Sequence, residues 1–288
     1  VAGREIEARH GCFPCTDTRG DQRLHGLGSM AIIGYGTLGA EELAYGSDLD
    51  IVFLFEPTDK QSDGKRPLPP EQYYARLAQR VLSFLTVMTP SGRLYEVDTR
   101  LRPNGRAGSL VSSIVAFSTY QLEQAWTWEL QALTRARFIA GSPVLEAHFN
   151  RIRQEVLCLD RDEGALASEL HEMRQKMISE QAAKLGDSLP ASPKHGPGGL
   201  IDIEFIAQLG VLANARLYPR VIRATGTSRQ ISELASIDWL DEKEAQQLLN
   251  TMARLRQQKL MAALIKDQPE TSAGMQECAL IYRQKMGC

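Results

Sequence analysis

The chain has 288 residues, 43% hydrophobic and 24% charged, and its 33 Lys and Arg nearly balance its 35 Asp and Glu to leave a formal net charge of −2. This composition is that of a globular protein with one large or two modest domains. It argues against long disorder, a nucleic-acid coat protein and a membrane-surface binder. No apolar run approaches the roughly 18 residues that span a bilayer, and no signal peptide is visible.

The N-terminal residues 1–29 have a polar, irregular pattern, and we expect a linker there. Because the chain begins at Val1 rather than at a methionine, we also expect it to be a piece of a longer polypeptide. Cys12 and Cys15 have C-x-x-C spacing, but no second pair completes a zinc site, so we interpret them as part of the linker. The five cysteines are an odd number, which favours a reducing, cytoplasmic setting.

The next elements are two strands and a helix. Residues 30–33 and 51–55 are short apolar runs bounded by turn signals, which is typical of buried strands. A polar loop with several prolines follows. Over residues 71–88 the apolar side chains recur at spacings of three and four, which predicts an amphipathic helix.

Helical spacing dominates from about residue 113 to the C-terminus, where the strand signals vanish. A Pro-, Gly- and Ser-rich stretch at residues 186–199 interrupts this pattern before a further helix that begins near Leu200. The coarse organisation is an α/β unit followed by a helical unit, with a boundary between residues 140 and 165.

Residues 34–39 read Gly-Tyr-Gly-Thr-Leu-Gly and match the G-x-G-x-x-G pattern of dinucleotide-binding loops. Such a site also needs a full helix after the loop and an acidic residue at the far end of the next strand. Here residues 40–45 leave room for little more than one helical turn, and Asp48 and Asp50 stand at the beginning of the next strand. We therefore interpret this loop as something other than a nicotinamide or flavin site.

Asp48 and Asp50 are separated by one residue in a segment that leads into a strand. Residues two apart in an extended chain point to the same side, so both carboxylates can face one point. A divalent cation relieves their mutual repulsion and takes oxygen ligands. Two such ions bridged by carboxylates support phosphoryl or nucleotidyl transfer.

A third carboxylate would complete this site, and Asp98 is the best candidate. Residues 93–101 alternate as a strand does, with Glu96, Asp98 and Arg100 on one face. If this strand neighbours the second one, Asp98 lies beside the first two acids, with Glu96 as the reserve choice. The alternative is that Asp48 caps a turn and that Asp50 is a solvated residue at the start of a strand.

Other pairs of chemically interesting residues two apart fall on predicted helices, where a two-residue step turns side chains about 200° apart. We therefore expect the members of each pair to diverge: Asp202 and Glu204, Arg135 and Arg137, Trp126 and Trp128. Asp202 and Glu204 suit a helix N-terminus rather than a shared ion. At most one of the two arginines would face a site, and at least one of the two tryptophans is expected in the core.

Several separate motifs give the chain a specific resemblance. The glycine loop, the Ser-Asp-x-Asp segment and a third Asp on a later strand resemble the DNA polymerase β-like nucleotidyltransferase superfamily. The finer motifs resemble the glutamine synthetase adenylyltransferase family over about residues 30–265: Tyr-Gly-Ser-Asp-Leu-Asp at 45–50, Tyr-Glu-Val-Asp-Thr-Arg-Leu-Arg-Pro at 95–103, Ala-Trp-Thr-Trp-Glu at 125–129 and Gly-Gly-Leu-Ile-Asp-Ile-Glu-Phe at 198–205.

The resemblance implies an α+β fold. A mixed β-sheet nucleotidyltransferase domain flanked by helices is expected over residues 30–160, and an all-helical bundle over 161–288. In that family one half of a long polypeptide attaches AMP from ATP to a tyrosine of glutamine synthetase and the other half removes it by phosphorolysis. The motifs at 107–111 and 125–129 resemble the C-terminal, adenylylating half. The PII signalling protein and glutamine are the implied regulators, and no nucleic acid or membrane partner is expected.

The resemblance also implies roles for single residues. Asp48, Asp50 and Asp98 would be the catalytic ligands of Mg²⁺, with Mn²⁺ equally suited to oxygen donors. The residues that would contact the ATP phosphates are Gly34, Gly36, Thr37, Gly39, Ser47, Arg100, Arg102 and Lys194. Thr37 departs from the family, which is expected to have Lys there, and its hydroxyl can still donate a hydrogen bond. For Arg100 and Arg102 the alternative is structural pairing with an acid.

Two other functions remain open. The first is a nucleotidyltransferase of the same fold with another acceptor, which could be a different protein, a small molecule or RNA. The balanced charge counts against RNA. The second is a non-catalytic module that senses nucleotide and binds regulators, against which the complete set of acids counts.

Overall fold

The structure is a computed structural model that describes residues 1–13, 29–90, 92–185, 189, 192–265 and 274–288. Cys15, the second cysteine of the C-x-x-C pair, lies outside the described residues. The strands in the described residues are β1 (Met30–Gly34), β2 (Leu49–Phe55), β3 (Met88–Thr89), β4 (Gly92–Arg93), β5 (Val97–Asp98), β6 (Val111–Ser113) and β7 (Arg137–Gly141).

The helices in these residues are α1 (Ala2–His10), α2 (Gly36–Gly39), α3 (Pro70–Leu85), α4 (Ile114–Glu123), α5 (Thr127–Leu133), α6 (Pro143–Leu157), α7 (Glu163–Leu185), α8 (Leu200–Asn214), α9 (Thr227–Ala235), α10 (Glu242–Ile265) and α11 (Met275–Met286). The predicted α+β class is confirmed. Over the described part of the chain, no helix has both the length and the apolar character needed to cross a membrane.

The chain packs as two compact units. The first contains Val1–Ala125 and Ala136–Val156, and the second contains Trp126–Arg135 and Leu157–Cys288. The predicted domain limits at residues 30, 160 and 161 stay a prediction. The structure adds that the short segment Trp126–Arg135 belongs to the second unit although it precedes the last part of the first.

The first unit is built on a mixed sheet in the order β5-β2-β1-β7, with β6 also paired to β2. β1 is antiparallel to both β2 and β7, whereas β5 and β6 are parallel to β2. A dinucleotide-binding fold requires a parallel β1–β2 pair. The antiparallel pairing therefore confirms that the glycine loop is not a dinucleotide site of that type.

β2 is the centre of this unit because it is buried on both faces. One face carries Ile51, Phe53 and Phe55, which pack in one cluster with Tyr74 and Leu77 of α3. Since side chains alternate along a strand, Asp50 shares the opposite face with Val52 and Leu54. The apolar run of β2 thus fixes the side of the sheet on which Asp50 lies.

The strand predicted over residues 93–101 is wrong in extent. It is divided into β4 and β5, and Leu94, Tyr95 and Glu96 between them are exposed. The amide of Tyr95 donates to the carbonyl of Leu85 at the end of α3 and the amide of Leu94 to that of Val87, and the segment joins the main sheet from Glu96, whose carbonyl accepts from Leu49 of β2. Asp98 therefore ends a two-residue strand and is not in the middle of a long one.

Three further expectations from the sequence are wrong. The segment taken as part of a linker forms α1, which packs on α3. Strand signals do not end at residue 113, because β7 pairs with β1, and Arg137 belongs to this strand and not to a helix. Trp126 and Trp128 are 70% and 40% exposed, so neither is a core residue in this chain.

The second unit is a helical bundle around α8. This helix is apolar on nearly all sides, and almost every residue from Leu200 to Leu212 is buried. A helix of this kind must be surrounded by others, and α7, α9, α10 and α11 all contact it. Asp202 and Glu204 diverge as predicted: Asp202 bonds to Arg174 and Glu204 to Arg135.

Candidate active site

The site is built where β2 and β5 begin to run side by side. In this parallel pair Leu49 is opposite Val97 and Asp50 is opposite Asp98. The amide of Leu49 also donates to the carbonyl of Glu96 at 2.8 Å. Directly opposed residues on neighbouring strands, about 4.8 Å apart, share one face of the sheet. The structure therefore places Asp98 beside Asp50, as the sequence predicted.

The glycine loop packs directly against Asp50. The amide of Tyr35 donates to the Asp50 backbone carbonyl at 2.8 Å. At Gly36 the backbone has a φ of +51°, and a Cβ added there would lie 2.2 Å from Asp50 Oδ2. Only glycine satisfies both the left-handed backbone and this close approach. The motif thus serves to bring the backbone of residues 34–39 against the carboxylate.

Arg137 holds the end of this loop. Its guanidinium donates to the carbonyls of Gly39 at 3.1 Å and Leu38 at 3.2 Å, and it lies 3.8 Å from the carboxylate of Glu41. A cation at the C-terminal end of a helical turn satisfies carbonyls that the turn leaves unpaired. The sequence predicts Arg137 on a helix, with at most one of Arg135 and Arg137 facing a site, and this wrong assignment hides its contact with the loop. The position of Arg137 beside the glycine loop becomes clear only from the pairing of β7 with β1.

Ser47 and Asp48 lie in the turn that leads into β2. The Ser47 hydroxyl oxygen accepts a hydrogen bond from the amide of Ala44 at 3.0 Å. A serine hydroxyl also has one proton to donate, so the side chain remains able to bind a phosphate oxygen. Asp48 is exposed and lines a surface pocket. Thr37 is half-buried in the first turn of the loop, where its carbonyl accepts from the amide of Glu42.

The carboxylate of Asp98 is bonded on both oxygens by Arg100. The Arg100 amide donates to Oδ1 at 2.8 Å and its Nε donates to Oδ2 at 2.6 Å. Burial alone would raise the pKa of Asp98, but these bonds hold that pKa below its usual value. Asp98 in turn raises the pKa of Arg100, and Asp50 and Asp48 contribute to the same shift. Arg100 is therefore electrostatically coupled to all three acids.

A pocket of about 430 Å³ opens beside these residues. Acids and arginines share its walls, which are formed by Asp48, Glu96, Val97, Asp98, Thr99, Arg100, Arg102 and Arg106. Such a lining suits a ligand that carries several negative charges and is accompanied by cations. Sequence reasoning missed Arg106, which lies in the three-residue 3-10 helix Gly105–Ala107, too short to have a periodic signal.

Arg102 does not have a free guanidinium. It donates to the carbonyl of Thr99 at 2.7 Å and its hydroxyl at 2.9 Å, and more weakly to the carbonyls of Gly108 and Arg106. Arg102 thus has a structural role, because it ties together the segment that carries Arg106, but the partners described for it are carbonyls and a hydroxyl and not the acid that the alternative predicted. Glu96, the reserve acid, is exposed and pairs with Arg93 at 3.2 Å. Lys194 belongs to the second unit.

Carboxylate oxygens are the donors that Mg²⁺ and Mn²⁺ prefer, so the donor chemistry of Asp48, Asp50 and Asp98 fits a divalent cation. Within the residues that the structure describes, no three His, Cys, Asp or Glu side chains are grouped so that they could hold an ion. Both oxygens of Asp98 accept hydrogen bonds from Arg100, Oδ1 from the amide and Oδ2 from the guanidinium, which leaves fewer of their lone pairs for an ion.

Two family models match the chain in succession. The glutamate-ammonia ligase adenylyltransferase model matches residues 2–152, and the GlnD PII-uridylyltransferase model matches residues 169–272. A mixed sheet with paired acids beside a glycine loop is a class of site shared by nucleotidyltransferases, and the first match covers all of that sheet. The chain belongs to the glutamate-ammonia ligase adenylyltransferase family.

Three curated relatives are each named bifunctional glutamine synthetase adenylyltransferase/adenylyl-removing enzyme. The protein of Nitrosococcus oceani is 47% identical over 89% of this chain and 26% of its own length. That of Methylococcus capsulatus is 46% identical over 86% of this chain and 26% of its own length. That of Stenotrophomonas maltophilia is 44% identical over 98% of this chain and 29% of its own length. The chain thus spans little more than a quarter of these relatives.

Proposed function

We propose that this chain transfers AMP from ATP to a tyrosine hydroxyl of glutamine synthetase and releases pyrophosphate. Its family membership and the names of its relatives support glutamine synthetase as the acceptor. The observation that carries the chemistry is the register of β2 and β5, which sets Asp50 opposite Asp98 next to a pocket lined with arginines. We assign the chain to the adenylylating half of the longer protein.

The chain's own residues would bind and orient the two reactants. Backbone amides of residues 34–39 and the hydroxyl of Ser47 would bind phosphate oxygens. The guanidinium of Arg106 would offset charge on the leaving pyrophosphate. The phenol oxygen of the acceptor, whose ordinary pKa is about 10, forms a bond to the α-phosphorus as the bond to the β-phosphate oxygen breaks. Asp98 would face the acceptor hydroxyl and favour loss of its proton.

Asp48, Asp50 and Asp98 would hold divalent cations, either Mg²⁺ or Mn²⁺. Such ions, when bound, supply positive charge to the triphosphate and lower the pKa of an acceptor hydroxyl. Two-metal catalysis is therefore part of the proposal, and it depends on these three carboxylates being free to ligate. The predicted phosphate contacts of Gly34, Gly36, Thr37, Gly39 and Arg100 are also part of it, whereas Arg102 would hold the segment that carries Arg106.

Regulation by the PII protein and by glutamine is a further part of the proposal, as is a cytoplasmic location. The match of the second unit to a model named for PII uridylyltransferase supports a link with PII signalling. The balanced charge of the chain supports a protein acceptor over RNA.

The test is transfer from ATP labelled on the α-phosphate. Incubated with Mg²⁺ and glutamine synthetase, the chain should place label on the synthetase and release an equal amount of pyrophosphate. A synthetase with Phe in place of the acceptor tyrosine is the control and should stay unlabelled. Label on another protein, a small molecule or RNA would instead favour a different acceptor. ATP binding without transfer would favour a sensing module, and phosphate-dependent release of ADP from adenylylated synthetase would assign the chain to the removing half.

Replacing Gly36 by Ala should lower AMP transfer by about 10²-fold, because its Cβ would displace the Asp50 carboxylate and small displacements of a reacting group have effects of this size. Gly46→Ala is the matched control. Gly46 also has a left-handed backbone, with φ of +72°, but nothing lies within 4 Å of an added Cβ. In both variants an alanine in a left-handed backbone lowers the unfolding free energy by about 1–2 kcal/mol. Equal losses of transfer in the two variants would show that strain, and not contact with Asp50, is responsible.

A further inference from the structure

Asp98 and Arg100 form an ion pair in which the acid is largely buried and the arginine is exposed. The side chain of Asp98 is 18% exposed, whereas that of Arg100 is 62% exposed. Asp98 accepts from the Arg100 amide, Nε and Nη2, so both of its oxygens are engaged by one residue. The carboxylate is thus fixed at the sheet edge while the guanidinium reaches out over the pocket wall.

Arg100 can change partners more easily than Arg102. Arg102 is held by backbone carbonyls and by Thr99, which leaves it little freedom. The guanidinium bonds described for Arg100 go to one carboxylate, that of Asp98. Ion pairs at an exposed position are weak and exchange easily. Phosphate groups bind guanidinium in the same two-pronged manner as carboxylates do. A nucleotide triphosphate in the pocket is therefore a direct competitor of Asp98 for Arg100.

We infer that Arg100 is a positioning residue whose guanidinium keeps Asp98 from ligating a divalent cation and moves to the phosphates when ATP binds. The inference rests on the proposed function, because it assumes that Asp98 is a metal ligand. It explains why Asp98 lies beside Asp50 in register while both of its oxygens accept hydrogen bonds from Arg100. It also makes ATP and cation binding mutually reinforcing, since each removes an obstacle to the other.

The test measures Mn²⁺ binding to the nucleotide-free chain from the electron paramagnetic resonance signal of free Mn²⁺. Arg100→Met removes the guanidinium and keeps the length of the side chain, and it should tighten Mn²⁺ binding by about five-fold, the upper end for one exposed ion pair. Arg93→Met is the matched control. Arg93 pairs with Glu96 on the adjoining segment and does not bond to Asp98, so its loss should leave the affinity within two-fold of wild type.

Two further measurements separate the inference from its alternatives. Asp98→Asn combined with Arg100→Met should lose the gain, because the gain acts through the Asp98 carboxylate. A non-hydrolysable ATP analogue should tighten Mn²⁺ binding more in the wild type than in Arg100→Met, since only the wild type has Arg100 to release. An unchanged affinity in Arg100→Met, or a gain that survives loss of Asp98, would overturn the inference. If the wild type transfers AMP but Arg100→Met has an unchanged Mn²⁺ affinity, the proposed function stands and the inference on Arg100 fails. If Arg100→Met binds Mn²⁺ more tightly but the wild type transfers no AMP, the inference on Arg100 stands and the proposed function fails.

Discussion

Asp50→Asn is expected to lower AMP transfer by about 10²–10³-fold while the protein remains folded. Electrostatic groups aimed at developing charge have effects of this size when removed. Asp50 lies at the start of β2, opposite Asp98 and against the backbone of Gly36, so its carboxylate is the centre of the proposed site. Asparagine has the same shape and keeps the local packing. Asp48→Asn should have a similar effect on transfer.

The measurement compares initial rates of label transfer at saturating ATP and glutamine synthetase, with circular dichroism to check the fold. Asp59→Asn is the matched control, because Asp59 is an exposed acid of the same unit in the loop between β2 and α3. It should transfer at the wild-type rate. A wild-type rate for Asp50→Asn or Asp48→Asn would remove that acid from the site. Asp98→Asn should lower the turnover more than the affinity for ATP.

The part of the site that the sequence predicts is the part encoded locally. The apolar run of β2 and the position of Asp50 at its start are visible in a few consecutive residues. That the two strands are neighbours was a hypothesis, and the register of β2 and β5 confirms it. For Arg100 the sequence leaves two partners open, a phosphate or an acid, and the structure shows the pairing with an acid, Asp98.

The features that the sequence did not predict depend on long-range pairing. β7 is a short strand of half-buried residues between two helices, and only its partner β1, about a hundred residues earlier, makes it a strand. The hydrogen bonds from Arg137 to the glycine loop depend on that pairing, so they could not be predicted without it. The division of the 93–101 segment has the same origin, because its middle residues bond to the end of α3. The exposure of Trp126 and Trp128 shows that hydrophobic character alone does not assign a residue to the core.

Arg174→Met is expected to lower the unfolding free energy of the second unit by about 3–5 kcal/mol, the typical effect of removing one partner from a buried ion pair. The side chain of Arg174 is 1% exposed and that of Asp202 is 6% exposed, and Nε lies 2.5 Å from Oδ1. Arg174 also donates to the carbonyl of His195, and Asp202 accepts from the amide of Gly198. Loss of Arg174 would leave a buried, uncompensated carboxylate at the start of the central helix α8.

Chemical denaturation followed by tryptophan fluorescence measures the unfolding free energy of the second unit. All three tryptophans of the chain, Trp126, Trp128 and Trp239, belong to the second unit, so the signal reports its unfolding. Arg216→Met is the matched control. It removes an arginine of the same unit whose partner, Asp160, is exposed, and exposed pairs contribute about 0–1 kcal/mol.

A double variant tests whether the unpaired charge is the cause. Asp202→Asn combined with Arg174→Met removes the buried charge and keeps an oxygen for the amide of Gly198. It should therefore be more stable than Arg174→Met alone, because neighbouring substitutions that relieve each other are not additive. If Arg174→Met costs no more than Arg216→Met, water must reach Asp202 and the pair is not a buried one. If the double variant is the least stable of all, the loss comes from packing and hydrogen bonds around α8 and not from the isolated carboxylate.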